Sequence, residues 1–390
     1  LSSKWPIIAL DTPALSGRKW VTDVTITQGE SLHEVAQVTV LHQVQRGASS
    51  GSGWSLDAAG VMSEGTPVAL RFGDTVRSTP YYGYVASVAV QGSDIHQSVT
   101  ASVQVPVVYT CIGPTYYMQS QSNRLWSSAT ASYVARNLAR GAGLRPQVQQ
   151  SNRQFDNLPQ QATSDFTFLR DLADEVGYRL IPSGSTIAFT DPLVSLRETG
   201  EDRLTFEYAK ARTDTVKNWK STAGQLDPLG GMRTRREGYS FNTTTGALVR
   251  VVADGTQDAT VTQYSTGRPF TTQAEAAEAL AAEARRERLW VHAEATVRGD
   301  CRLRPGVELE VDGSALGPSD PGPWMIRSTT HRISVMPGQP TAGVYWTDVT
   351  LGRNRIDGLD YVPKAGLVDA VPDGTSLIDG RWRAQHVGRA

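Results

Sequence analysis

The chain has 390 residues, more than one ordinary hydrophobic core accommodates, so its length predicts about two to four domains. Its 39 acidic and 38 basic residues leave a formal net charge of −1, which removes the global electrostatic reason to bind nucleic acid or an anionic membrane. No apolar run approaches the roughly 20 residues of a membrane-spanning helix, and the opening residues lack the basic-then-apolar pattern of a secretory signal, so no membrane insertion is expected.

From Trp5 to about Cys111, apolar and polar residues alternate with a period near two. WVTDVTITQ (20–28), EVAQVTVLHQV (34–44), TPVALRFG (66–73), TPYYGYVASVAVQG (79–92) and HQSVTASVQVPV (96–107) predict five or six half-buried strands, enough to close a small barrel. The Gly- and Ser-rich stretch 45–60 is predicted as an exposed loop. The period then changes. SSATASYVARNLARGAGL (127–144) predicts a helix with Tyr133, Val134, Leu138 and Ala139 on one face and a stop at Gly141 and Gly143. TSDFTFLRDLADEVGY (163–178) predicts a second, capped by Thr163 or Ser164, striped by Phe166, Leu169, Leu172, Ala173 and Val176, and ended by Gly177. RLIPSGSTIAFTDP (179–192) follows as a hairpin turning at Ser183 to Ser185.

Strands return at RLTFEYAKAR (203–212), VKNWKSTAG (216–224) and within 234–255. Residues 270–297 hold a capping box from Thr272 to Glu275, an alanine-rich helix and, from Val291, a strand. GVELEVDG (306–313), GPWMIRSTTHRISV (322–335) and VYWTDVTLG (344–352) are three more strands, in the first of which Val307, Leu309 and Val311 face one way and Glu308 and Glu310 the other. Beyond them no long periodic element appears, and an extended arm is expected. That arm keeps Tyr361 and Trp382, large groups suited to docking on a partner.

Residues that could carry chemistry have simpler readings. Arg298-Gly299-Asp300 is expected to be a turn before a strand, not an adhesion site, because Pro305 and Gly306 set a tight corner just beyond. Cys111 and Cys301 are expected to be free thiols, with no metal site around them. The six histidines are scattered and are expected at exposed strand positions. Asp171, Asp174 and Glu175 belong to a solvated helix face, and Arg285, Arg286 and Arg288 complement a helix C-terminus. No nucleophile motif, HExxH pair or phosphate loop occurs, so no catalytic residue, metal or cofactor is expected.

The order of these parts resembles the tail or baseplate hub proteins of bacteriophages, a wider family that includes late control protein D and the amino-terminal part of VgrG spike proteins. The resemblance spans roughly 10–355. Its markers are the helix with Asp165, Phe166, Leu169, Leu172, Gly177 and Tyr178, and the strand opening Leu303, Pro305 and Gly306 with Trp324 and His331 downstream. It implies a mainly β fold with an α+β module: a first β-barrel hub domain (1–112), the α+β module (113–195), a second barrel (196–225 with 291–355), an insertion of strands and a helix (226–290) and the arm (356–390). It further implies a homotrimer forming a pseudo-sixfold ring, which adapts a sixfold tail tube to a threefold spike or fibre in a phage tail or related contractile injection apparatus. The expected partners are further copies of the chain, a tube or distal tail protein, and a spike or tip protein. The expected place is the virion, after synthesis in the bacterial cytoplasm. The chain departs from VgrG in showing no long β-helical repeat, so a separate spike protein or a different tip is expected rather than a fused needle, and the cell-wall hydrolase attached to some hubs is not expected of this sequence. The alternative is a tail-associated cell-wall hydrolase with an unrecognised site in 113–195 or 225–290.

Overall fold

A computed structural model of the chain describes residues 6–11, 20–46, 54–56, 61–74, 77–91, 102–197, 201–208, 215–221, 234–241, 245–253, 261–264, 272–313, 320–336, 339–354 and 359. The fold is mainly β, as the alternating segments predict. The first stretch gives β1 (Pro6–Asp11), β2 (Trp20–Gly29), β3 (Val35–Arg46), β4 (Trp54–Leu56), β5 (Pro67–Asp74), β6 (Ser78–Val90) and β7 (Ser102–Ile112). Their inward residues, among them Val24, Ile26, Val38, Val40, Leu70 and Tyr109, form one core. The stretch 45–60 is not simply a loop, because β4 pairs with the end of β3 (Val44 opposite Leu56, Arg46 opposite Trp54). A three-residue strand satisfies its backbone on a neighbour and needs no long apolar pattern, so glycine and serine on both sides conceal it.

A 3₁₀ turn (Pro114–Gln119) leads into the module: β8 (Gln121–Thr130), α1 (Ala131–Gly141), β9 (Arg145–Val148), β10 (Gln154–Ser164), α2 (Asp165–Val176), β11 (Arg179–Ser183) and β12 (Thr186–Thr190). α1 starts at Ala131 because residues 121–130 extend as β8 against β10, with Thr130 accepting from the Tyr133 amide. Val134, Leu138 and Ala139 are buried as expected, but Tyr133 is 52% exposed and belongs to the outer face. α2 follows its sequence closely: Ser164 caps the Thr167 amide at 3.1 Å and Phe166, Leu169, Leu172, Ala173 and Val176 are buried. Each of the four larger side chains among these contributes about 1.5–3 kcal/mol relative to exposure. Gly177 ends the helix at φ 70°.

The remaining strands are β13 (Leu204–Glu207), β14 (Val216–Ser221), β15 (Thr234–Phe241), β16 (Leu248–Ala253) and β17 (Val261–Tyr264), then helix α3 (Gln273–Arg286), then β18 (Val291–Arg298), β19 (Glu308–Asp312), β20 (Gly322–Met336) and β21 (Gln339–Arg353). β15, β16 and β17 form their own sheet, on which α3 packs through Ala276 and Leu280 against Val251. Thr272 caps α3 by accepting from the Glu275 amide. The other strands join β1–β7 in one 13-stranded sheet, and Val216, Val297, Leu303, Leu309, Trp324 and Leu351 lie in a second core within it.

One strand order occurs twice in this sheet. β2-β3-β7-β6-β5-β1 is matched by β14-β18-β21-β20-β19-β13, element for element in chain order. The registers match as well. Pro67 faces Tyr84 and Leu70 faces Tyr81, where Glu308 faces Met325 and Val311 faces Gly322. The bulge between Val21 and Asp23 opposite β3 recurs between Val216 and Asn218 opposite β18. The bulge between Val85 and Ser87 opposite β7 recurs between Ile326 and Ser328 opposite β21. The turn below each is the same, with Thr66 donating to Ser63 O at 3.1 Å and Val307 to Arg304 O at 3.2 Å, around Gly65 and Gly306 at φ 79° and 86°. The halves differ at one edge: β1 runs antiparallel to β5, β13 parallel to β19. They are hydrogen-bonded to each other where β2 pairs with β20, Asp23 opposite Ser334 through Gly29 opposite Ser328.

Gly177 separates backbone strain from close approach. A Cβ there would lie 2.3 Å from the Ala282 carbonyl oxygen of α3, whereas Gly246, at φ 69°, has nothing within 4 Å. Gly246→Ala should cost about 1–2 kcal/mol, the left-handed penalty alone. Gly177→Ala should cost clearly more, because α3 must also move; equal losses of urea stability in the two variants would show that α3 does not press on this turn.

Candidate functional site

The two sequence markers converge on a junction of three parts: the module and both halves of the sheet. Asp165, the first residue of α2, accepts hydrogen bonds from Ser122 Oγ (2.8 Å), Gln160 Nε2 (2.7 Å) and Arg124 Nη1 (3.0 Å), tying β8 and β10 to the helix start. Phe166 stacks on His33 at 3.9 Å, and His33 Nδ1 meets Thr115 Oγ1 at 2.8 Å, so the turn after β2 is held to the module. At the other end, Tyr178 packs on Phe189 and donates to Gln150 O at 2.9 Å. Arg285 donates to Val176 O at 2.6 Å and Arg288 pairs with Asp191 at 2.7 Å, so two residues of the arginine cluster clamp α3 to the module.

The next residue, Arg179, is only 3% exposed. It donates to Glu30 Oε1 (3.3 Å) and Val194 O and approaches Met325 Sδ (3.8 Å). Burial lowers its pKa from the ordinary value and the Glu30 charge opposes that shift. Glu30 also accepts from Arg327 Nε at 3.2 Å, its amide donates to Arg327 O, and the Ser31 amide donates to Leu180 O at 2.7 Å. One carboxylate at the end of β2 therefore holds the module and β20 together. The other marker lies alongside. Leu303 and Trp324 are fully buried. The Pro305–Gly306 turn accepts the Leu196 amide at Gly306 O (2.7 Å), and a Cβ on Gly306 would lie 2.6 Å from Leu196 Cδ1. Trp324 donates to Asp320 O at 2.9 Å and lies under the Arg353 guanidinium at 3.9 Å.

Several side chains are more buried than their sequence suggests. Glu308 points away from Val307 and Leu309 as predicted, yet is fully buried, accepting from Ser195 Oγ at 2.5 Å with Arg197 Nε at 3.6 Å. His42 and His331 are also fully buried, which corrects the expectation of exposed strand positions; His96 and His386 lie outside the described residues. His42 Nε2 meets Tyr109 OH at 2.8 Å. His331 Nε2 donates to Leu303 O at 2.9 Å, since a carbonyl can only accept, which leaves Nδ1 to accept from the Tyr345 or Thr347 hydroxyl. Burial pushes the His331 pKa down to about 4. Glu34 is its opposite: burial pushes its pKa up to about 7, against hydrogen bonds from Gln28 and the Gly184 amide. Only alternate polar neighbours, not burial, were visible in these strands' sequences.

The remaining candidates have structural partners. Asp300 binds Arg302 in a bidentate pair (2.9 and 2.7 Å), and Gly299 lies so close under Tyr345 that a Cβ would sit 2.1 Å from the ring, so the Arg-Gly-Asp triplet is a packed turn. Burial pushes the Cys111 thiol up to about 12 and the Cys301 thiol up to about 11, so neither is a thiolate near neutrality. Arg170 pairs with Asp171, and Arg153 with Glu175, on the open face of α2. Among the described residues no group of three or more His, Cys, Asp or Glu is placed to hold a metal ion. A groove of about 700 Å³ between β6, β8 and α1 is lined by Tyr82, Tyr84, Tyr117, Trp126, Arg124 and Asp165, and of all its lining residues only Asp165 is acidic. Tyr361 and Trp382 lie outside the described residues.

No known family profile and no curated protein match the sequence. Solved structures do. The 43 kDa tail protein of prophage MuSo2 from Shewanella oneidensis matches with a TM-score of 0.58 at 13% identity, over 93% of this chain and 99% of that one. This is a phage tail-protein fold. A tail protein from Neisseria meningitidis MC58 gives 0.56 at 10% identity over 91% and 100% of the two chains. An E. coli component of the type VI secretion system, described as structurally similar to bacteriophage T4 tail proteins, gives 0.54 at 13% identity over 93% and 80%. The mainly β tail-protein fold implied by the sequence resemblance is thus the fold observed.

The tail-protein fold buries Glu34 and His331 with opposite pH consequences. Glu34, raised from 4.5 to about 7, contributes stability that is full below its unfolded value and lost as pH rises to 7. His331, lowered from 6.5 to about 4, contributes stability present above 6.5 and lost as pH falls to 4. Between 4.5 and 6.5 the two slopes, each at most about 1.4 kcal/mol per pH unit, offset one another. Glu34→Gln should therefore expose a loss of urea stability as pH falls from 6.5 to 4, and His331→Gln a loss as pH rises from 4.5 to 7. Parallel pH profiles for both variants and the parent would contradict this assignment.

Proposed function

We propose that the chain is a non-enzymatic structural hub of a phage tail tip or baseplate, or of a related contractile injection apparatus. As a homotrimer it joins a sixfold tail tube to a threefold spike or fibre, in the virion. The observation that carries this reading is the repeated strand order: two equivalent six-strand units per chain make six units in three copies, the symmetry match such an adaptor needs. In this reading residues 1–112 and 196–225 with 291–355 are the two ring-forming domains, 113–195 the module that clamps them, and 226–290 an insertion. The likeness to tail proteins supports it.

Light scattering of the purified chain at micromolar concentration, or the symmetry of the assembled particle, should give threefold association. A monomer in the assembled tail would overturn the reading, and clearing of a bacterial cell-wall suspension by the purified chain would favour the hydrolase. The segment 356–390, with Tyr361 and Trp382, is proposed to dock on a neighbouring copy or the spike. Deleting residues 357–390 should leave a folded chain that enters tails poorly; normal occupancy of the truncated chain would remove that role.

A further inference from the structure

Each half of the sheet has one strand equivalent to a strand used at the internal junction, and neither equivalent is paired there. β20 divides its edge at the bulge. Gly322–Met325 pair with β19, and Ser328–Ser334 pair with β2. Its twin β6 pairs with β5 only over Ser78–Tyr84, and Val85 closes on Thr66. Beyond the bulge, Ser87–Val90 have β7 on one edge and, among the described residues, no strand on the other. Ser87, Ala89, Val90 and Gln91 are exposed, Val90 at 49%. β14, the twin of β2, is likewise paired with β18 alone among the described residues.

We infer that β14 of one copy pairs antiparallel with the free edge of β6 in a second copy, reproducing between chains the β2–β20 junction found within one. The geometry fixes the register. Thr25 faces Arg332 and Ile26 faces His331 at the internal junction. The twin of Thr25 is Lys220, since Thr25 faces Gln37 on β3 and Lys220 faces Glu294 on β18, where Ala36 and Ala293 stand opposite Cys111 and Leu351. The twins of Arg332 and His331 are Gln91 and Val90, counted from the matched bulge residues Ser328 and Ser87. Lys220 of one copy therefore stands opposite Gln91 of the next, and Ser221 opposite Val90.

The physical reason is the cost of an open edge. Backbone groups with no strand partner among the described residues, beside a half-exposed valine, are a template for another strand, and a second copy carries the equivalent of the strand that already covers the matching edge. The contact is heterologous, β6 of one chain on β14 of another, so repeating it closes a ring when the rotation permits. The pairing deepens the ring reading and rests on it for the presence of neighbouring copies.

The test is cross-linking of the full chain. Gln91→Cys with Lys220→Cys places thiols on two exposed residues, while the native Cys111 is buried and Cys301 half-buried. Mild oxidation, or a short thiol-to-thiol reagent, should yield covalent species of two and three chains, with the 91–220 link identified by peptide mass. Each single variant, and the out-of-register pair Ala89→Cys with Lys220→Cys, should give at least tenfold less. A threefold particle by light scattering that forms no 91–220 link, or links 89–220 equally well, would leave the ring standing and overturn the edge pairing. A chain that neither associates nor cross-links would overturn both.

Discussion

Arg327 is the extra residue of the bulge that lets β20 serve two neighbours. Opposite β21 it has no partner in the register, which jumps from Ile326–Leu351 to Ser328–Thr350. A bulge bends and twists its strand, so the part before it lies along β19 and the part after it turns to β2. The displaced backbone is not left unsatisfied. Arg327 O accepts the Glu30 amide at 3.2 Å while its guanidinium reaches the Glu30 carboxylate. The Gly306 turn, the Leu196 segment that closes on it and the Arg179–Glu30 pair all surround this kink, and each would lose its partner if β20 ran straight.

Polar groups, rather than apolar area, specify how the three parts meet. Most of each part's apolar residues lie in a core of its own, although Ala69, Tyr82 and Tyr84 of the first half join the module's core and Ile333 and Tyr345 join the first half's, and burial by itself is non-directional. A carboxylate shared between Arg179 and Arg327 does not slide. A pair as buried as Arg179 with Glu30 adds little net stability against apolar replacements, but removing Glu30 would strand the Arg179 charge at a cost of up to about 3–5 kcal/mol, while Arg327, 39% exposed, would lose much less. Glu308 with Ser195 and Arg197, and Glu34 with Gln28 and Gly184, follow the same rule, each joining residues more than 100 positions apart on at least one side. The module is thereby fixed in orientation as well as in place.

The sequence disclosed what local chemistry controls. The α2 stripe, its Ser164 cap and its Gly177 stop depend on residues within one or two turns, and the long alternating strands depend on one buried face. β8 and β10 were not legible because they form a two-stranded ribbon with much of its surface open, where Gln, Ser and Asn replace the alternation that burial would enforce. The burial of His331 and Glu308 was not legible either, since their partners Leu303, Tyr345 and Ser195 arrive from other elements. The duplication was expected from the two barrels that the resemblance implies, but the residues themselves did not show it. Ser63-Glu64-Gly65-Thr66-Pro67 and Arg304-Pro305-Gly306-Val307-Glu308 make the same turn and share only the glycine. What the two halves retain is the positions of bulges and turns, which only a register reveals.

The duplication is unequal where it bears on the proposed edge pairing. The bulged residue is Arg327 in β20 but Ala86 in β6, between Val85 and Ser87. An alanine offers no guanidinium to a carboxylate, so Ala86 cannot repeat the ionic clamp of the internal junction on the edge of β6 that has no strand partner among the described residues. Backbone pairing alone gives register without the penalty for leaving a buried charge unpaired, and it forms or separates at lower cost than the internal contact. In the proposed pairing the internal junction is clamped by charge and the β6 edge is not, so the heterologous contact between copies is the weaker of the two. In the ring proposed above, that order of strengths would put folding before assembly, because the clamped junction completes within a chain at any concentration while the edge contact would depend on how many copies are present.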